Sequence, residues 1–127
     1  MSIEKIINDA WENKDQVNPN SDQSLKDAIN QVINDLDSGK SRVAEKINGE
    51  WVTHQHLKKA IMLSFRVYEN DILSGPYSVW RDRQNLLKGK TAGWTKEEFE
   101  KAGFRMVPNS PVRKGSFIGK DAVLMPC

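Results

Sequence analysis

Val112, Ile118 and Leu124 stand six residues apart at the end of the chain, with Gly119 directly after the second. The small residues Ser116 and Ala122 follow Val112 and Ile118 by four places. A parallel β-helix reads this way, because an aliphatic side chain fills the interior at each side of a coil while small residues let the chain turn. One coil cannot bury its own apolar face, so such repeats need stacking, and this chain supplies barely one. Three aliphatics at a fixed interval also occur in ordinary edge strands and tails. The rest of the sequence has to decide.

A length of 127 residues bounds the answer to one domain, with room for one appended element. Hydrophobic residues at 38% and charged residues at 28% exclude a disordered or membrane-embedded chain. No apolar run approaches the ~20 residues of a bilayer span, and Met-Ser-Ile-Glu-Lys lacks the basic-then-apolar pattern of a secretory signal. A cytoplasmic protein without a membrane partner is therefore expected. A single cysteine, Cys127, excludes an internal disulfide, and with only His54 and His56 beside it no metal-ligand set is expected. Cys127 itself reads as an inert thiol.

Charge is segregated. Residues 1–40 carry four basic and eight acidic side chains, whereas residues 41–127 carry fifteen basic and nine acidic ones. The second part is the half expected to meet an anion, whether a phosphate-bearing cofactor, a dicarboxylate or nucleic acid.

Ile3, Ile6, Ile7, Ala10 and Trp11 follow helical spacing and predict a first helix that ends at the polar break Asn18-Pro19-Asn20-Ser21. A second helix is predicted from Ser24, paired with Asp27 in a weak capping box, with the stripe Leu25, Ala28, Ile29, Val32, Ile33 and Leu36 and Gly39 as its stop. Asn48-Gly49, between Arg42–Ile47 and Glu50–His54, predicts a hairpin in which Lys46 faces Trp51 and Glu45 faces Val52. A third helix is expected with Thr53 as N-cap and Leu57, Ala60, Ile61, Ser64 and Phe65 buried. Lys58 and Lys59 would then face solvent.

From Tyr68 to Gly93 the period is lost, and Gly75-Pro76, Gly89 and Gly93 mark a long surface segment. Trp80, Arg81, Arg83, Lys88 and Lys90 lie in it, with Trp94 directly after, and basic residues interleaved with aromatics can grip nucleic acid. An exposed basic loop anchored by a tryptophan explains the same residues more simply, with Asp82 diluting the charge, so no nucleic-acid partner is expected. A short fourth helix is predicted from Thr95, capped with Glu98, to Gly103. Phe104–Val107 reads as a strand, and Pro108 leads into the repeat.

The block Arg42–Ile47, the turn, Trp51–Gln55, Leu57–Ala60 and Leu63–Arg66 resembles the N-terminal domain of the tetrahydrodipicolinate N-succinyltransferase family. Gly103-Phe104-Arg105, Val107-Pro108, Val112-Arg113 and Val123–Pro126 are similar to the stretch where that family begins its left-handed β-helix. The resemblance runs through essentially the whole chain and departs from the family pattern between residues 68 and 95. It implies an α+β fold: a small helical N-terminal domain with a β-hairpin over residues 1–107, then the first coil of a truncated left-handed hexapeptide-repeat β-helix over 108–127.

It also implies an acyltransferase that moves a succinyl group from succinyl-CoA to the amine of the ring-opened tetrahydrodipicolinate in bacterial lysine and diaminopimelate synthesis. Such enzymes are homotrimers with sites between neighbouring β-helices. Arg105 matches the family's arginine for a substrate carboxylate, and a guanidinium fork suits that task. The bland reading of Arg105 is a strand arginine in a surface ion pair. The acidic catalytic residue and the CoA-binding coils would lie beyond Cys127. The chain alone is thus expected to hold no catalytic residue and no cofactor, and to be inactive. His54 and His56 read as structural, His54 serving a helix cap. The competing reading of the whole is a non-catalytic interaction module or degenerate fragment.

Overall fold

The computed structural model describes residues 1–83 and 89–126. Three helices build its core: α1 (Ile3–Glu12), α2 (Gln23–Asp37) and α3 (Gln55–Val67), which pack against one another pairwise. The stripe of α2 is buried as a set, with Leu25, Ala28, Ile29, Val32, Ile33 and Leu36 all inside. Only Ile7 of the α1 stripe is fully enclosed, while Ile6, Ala10 and Trp11 cover the edge of the core. Burying side chains of this size stabilises by about 1.5 to 3 kcal/mol each, so α2 and its two neighbours dominate the fold.

Two helix starts differ from expectation. Asp22, not Ser24, caps α2: its carbonyl accepts from the amides of Leu25 and Lys26, and Ser24 is already inside the helix. Asp27, which suggested a capping box, instead accepts from Nε2 of Gln23 at 2.9 Å. Thr53 is still in strand pairing with Ala44, so the cap of α3 moves on to His54, whose imidazole makes no capping bond. The buried face of α3 is Leu57, Ala60, Leu63, Ser64 and Val67, with Ile61 and Phe65 at its margin. Apolar residues surround this helix on several sides, so its period alone leaves the face ambiguous.

Strands β1 (Ala44–Ile47) and β2 (Glu50–Thr53) form the expected hairpin, with Lys46 opposite Trp51 and Glu45 opposite Val52. Asn48 and Gly49 both have positive φ, 50° and 83°, as a two-residue turn of this kind requires. Segment 68–93 is not period-free throughout: β3 (Asn70–Ser74) and β4 (Val79–Arg83) pair antiparallel. β3 is exposed along its whole length, which removes the alternation a half-buried strand writes into sequence.

Helix α4 (Lys96–Ala102) starts where Thr95 Oγ1 accepts from the amide of Glu98 and stops at Gly103, φ 77°. Beyond it, β5 (Arg105–Met106) pairs in parallel with β6 (Val123–Leu124), Arg105 opposite Val123 and Met106 opposite Leu124. The offset is a constant 18 residues, three times the six-residue spacing. Met106 is thus an earlier member of the series that continues through Val112, Ile118 and Leu124, and all four are half-buried. Left-handed backbone at Asn109 (φ 72°) and Asp121 (φ 66°) turns the chain between its straight sides.

The segment after Val112 docks on the end of α2. Gly115 donates its amide to Asp37 Oδ1 at 2.8 Å, and the ring of Phe117 lies where a Cβ on Gly39 would come within 2.7 Å. Gly39 and Gly49 have similar positive φ, 79° and 83°, but nothing lies within 4 Å of a Cβ at Gly49. Gly49→Ala should therefore cost ~1 to 2 kcal/mol from backbone strain alone, and Gly39→Ala more, because Phe117 must also move. Paired urea titrations check this; equal losses would show that Phe117 yields freely.

Candidate functional site

Strand alternation decides which way the residues of β5 face. Met106 turns inward with Leu124, and Arg105 is exposed on the outer face beside exposed Val123. The strand is held firmly: the Arg105 amide donates to Ala122 O at 2.9 Å, Val107 to Leu124 O at 3.0 Å, and Asp121 to Gly103 O at 2.8 Å. Ser110, itself buried, donates its hydroxyl to Leu124 O at 3.1 Å and closes the same turn. A shallow cleft of about 450 Å³ lies against this ladder, lined by Phe99, Glu100, Phe104, Arg105, Asp121 and Val123 among others. Among the described residues, the guanidinium of Arg105 has no carboxylate within 4.0 Å. A surface ion pair therefore does not account for it there. Its fork is open to a carboxylate from solution, which it can hold through two parallel N–H donors.

Both histidines stand apart from Arg105, on the helical side of the chain. His54 Nε2 lies 3.8 Å from Glu45 and His56 Nδ1 lies 4.0 Å from Glu4, and the two rings meet edge-on at 6.5 Å. They link the hairpin and α1 to the start of α3. The capping role expected of the His54 side chain is not present, because the residue occupies the cap position without bonding the helix amides.

Of the basic and aromatic residues of segment 68–94, Trp94, Arg83 and Lys90 make contacts within the fold, whereas Trp80 and Arg81 are exposed. Trp94 packs edge-on against Phe99 at 5.1 Å and tilted against Phe104 at 5.7 Å, and is half-buried. Arg83 donates to the Tyr68 carbonyl, and Asp82 holds Arg113 at 2.8 Å. The side chain of Lys90 is only 6% exposed and lies 3.2 Å from Asp37 Oδ1. Lys88 and Cys127 lie outside the described residues.

A larger cavity, about 830 Å³, opens between α2 and residues 89–94, away from Arg105. Part of its polar wall is bonded internally, Tyr68 donating to Asn30 Oδ1 at 2.7 Å and Lys90 donating to the Asp37 carbonyl at 2.7 Å. Lys114 and Asp71 also line the larger cavity, but of the two sites only the smaller cleft presents a guanidinium, whose planar fork of donors matches a carboxylate. Sequence reading missed Met106 because it fell inside a strand, although its place six residues before Val112 was visible. It missed Asp37 with Lys90 because nothing local joins residues 53 apart.

Comparison with known proteins adds an independent line. The profile of the family described as "Tetrahydrodipicolinate N-succinyltransferase N-terminal" matches residues 2–67. The chain is 69% identical over 125 residues to 2,3,4,5-tetrahydropyridine-2,6-dicarboxylate N-succinyltransferase of Pelagibacter ubique (strain HTCC1062), covering 98% of this chain and 46% of that protein. It is 50% identical over 127 residues to the protein of the same name from Actinobacillus pleuropneumoniae serotype 5b (strain L20), covering 99% and 45%. With the Dechloromonas aromatica (strain RCB) protein of that name it shares 48% over 124 residues, 98% of this chain and 44% of that one. The chain spans a little under half the length of the relatives it matches.

Proposed function

The chain belongs to the tetrahydrodipicolinate N-succinyltransferase family, and from that premise we propose that residues 1–127 form the N-terminal, dicarboxylate-contacting part of a succinyl-CoA-dependent acyltransferase. Water opens the cyclic imine to an amino ketone, whose amine attacks the thioester carbonyl; the C–S bond breaks, CoA leaves as the thiol and an amide forms. A base must take the proton of the amine, and donors must hold the developing oxyanion. Arg105 supplies neither; it binds a substrate carboxylate and so orients the amine. The single observation that carries this role is the exposed guanidinium of Arg105 on a fixed ladder with no acidic partner among the described residues.

In this reading residues 1–107 are an α+β domain, and 108–127 begin a left-handed β-helix closed against β5. The 18-residue offset and the inward series Met106, Val112, Ile118 and Leu124 support it, since three six-residue sides make one coil. The half-buried state of that series fits a coil that stacks on another. The base and the CoA contacts belong to later coils, the enzyme works as a cytoplasmic homotrimer, and the reaction serves lysine and diaminopimelate synthesis.

The test is thiol release from succinyl-CoA, measured with and without the cyclic dicarboxylate. Dicarboxylate-dependent release is expected from the enzyme-length protein containing these residues and none from residues 1–127 alone. No dicarboxylate-dependent release from the enzyme-length protein would overturn the proposal and favour a non-catalytic module.

A further inference from the structure

Lys90 is the most deeply enclosed cation of the ion pairs described, with 6% of its side chain exposed against 22% for its partner Asp37. Its ammonium lies 3.2 Å from Asp37 Oδ1 and donates to the Asp37 carbonyl at 2.7 Å, satisfying a carbonyl at the end of α2. Asp37 Oδ1 also accepts from the Gly115 amide, and the Lys90 amide donates to Val112 O at 2.9 Å. One largely enclosed pair thus joins three segments far apart in sequence.

The same short loop supports β5 on both sides of Arg105. Thr91 Oγ1 lies 3.7 Å from Sδ of Met106, the residue after Arg105. Trp94 packs on Phe104, the residue before it, and the ammonium of Lys90 sits 5.9 Å from the Trp94 ring. Phe104 is buried, so its position fixes the backbone from which Arg105 projects.

We infer that Lys90 and Asp37 are positioning residues for the transferase reaction, setting the place of the Arg105 guanidinium through Thr91–Met106 and Trp94–Phe104 without touching substrate. This rests on the proposed role of Arg105. Clamped groups gain rate from exact placement, and displacement by an ångström can cost ~100-fold, so a partial loosening should be read in the dicarboxylate kinetics.

The experiment measures both Michaelis constants, kcat and the melting temperature for Lys90→Met, Lys90→Arg, Asp37→Asn and Arg105→Ala in the enzyme-length protein. Lys90→Met should raise the dicarboxylate KM roughly tenfold, a fraction of the displacement limit, and leave the succinyl-CoA KM within about twofold. Lys90→Arg, which keeps charge and donors, should recover part of the loss. Lys90→Met should add little in an Arg105→Ala background, because both changes act through one guanidinium. A lowered melting temperature with both KM values unchanged, or with both raised alike, would overturn the inference and leave a structural pair. Should Lys90→Met fail to fold, Asp37→Asn decides: it keeps the carbonyl acceptor, so a selective rise in the dicarboxylate KM supports positioning and an unchanged value overturns it. Arg105→Ala separates the two readings. If it alone raises the dicarboxylate KM, only this inference falls; if it does not, the role of Arg105 falls as well.

Discussion

Leu63→Ala should remove ~3 to 5 kcal/mol from the stability of the helical domain, the upper range for a leucine whose cavity cannot collapse. Leu63 is 0% exposed at the centre of the cluster formed by α1, α2 and α3, with Ile7 and Ile29 equally enclosed. All three helices would have to shift to fill the void, and each is held by the other two. Since whole domains are stable by only about 5 to 15 kcal/mol, the loss is a large share of the total. Met62→Ala, one residue away but 48% exposed, should cost under ~1 kcal/mol, and Ile61→Ala at the margin should fall between the two. Urea unfolding of the three variants checks the order. A Leu63 loss no greater than that of Ile61 would mean that the buried face is the one suggested by helical spacing of Leu57, Ala60, Ile61, Ser64 and Phe65.

That comparison marks where sequence stops being decisive. In α2 the six buried residues are the only apolar ones and sit on one stripe, so periodicity alone identifies the buried set. In α3 Met62, Leu63, Ile61, Phe65 and Val67 are all apolar, and which of them faces inward depends on where α1 and α2 lie. The Asn48-Gly49 turn fixes the hairpin register because both residues must adopt positive φ, a constraint satisfied within four residues. β3 and β4 escape notice because they expose apolar and charged residues alike on both faces, and Ile72, Val79 and Trp80 all remain accessible. Their pairing is fixed by backbone hydrogen bonds, which leave no composition signal.

The site was legible to a different degree. A six-residue aliphatic spacing is written in the chain, but its closure at 18 residues is a property of backbone pairing between β5 and β6. Nothing in the local pattern around Arg105 separates a ligand-binding arginine from an ion-paired one. Resemblance to a family singled it out, and the fold adds the physical condition, an outward fork with no carboxylate within 4.0 Å among the described residues. The Lys90–Asp37 pair lies beyond both routes, because a lysine in a glycine-rich segment carries no mark of burial.

Arg105→Ala in the enzyme-length protein should weaken apparent binding of the cyclic dicarboxylate by ~1.5 to 3 kcal/mol, the usual worth of a hydrogen bond to a charged group. That is about 10- to 150-fold in KM by the relation of 1.4 kcal/mol to a factor of ten. The strand itself should survive, since Arg105 is held in the ladder by its backbone amide and its side chain is exposed. The melting temperature should accordingly stay near that of the parent, and the KM for succinyl-CoA should barely move. Arg105→Lys keeps the charge but replaces a planar two-donor fork by a point charge, so its loss should lie between the parent and the alanine variant. A fold-supporting arginine would behave differently, lowering the melting temperature and depressing the kinetics of both substrates together. An alanine variant with unchanged dicarboxylate kinetics would remove Arg105 from the site, leaving its guanidinium as ordinary solvated surface.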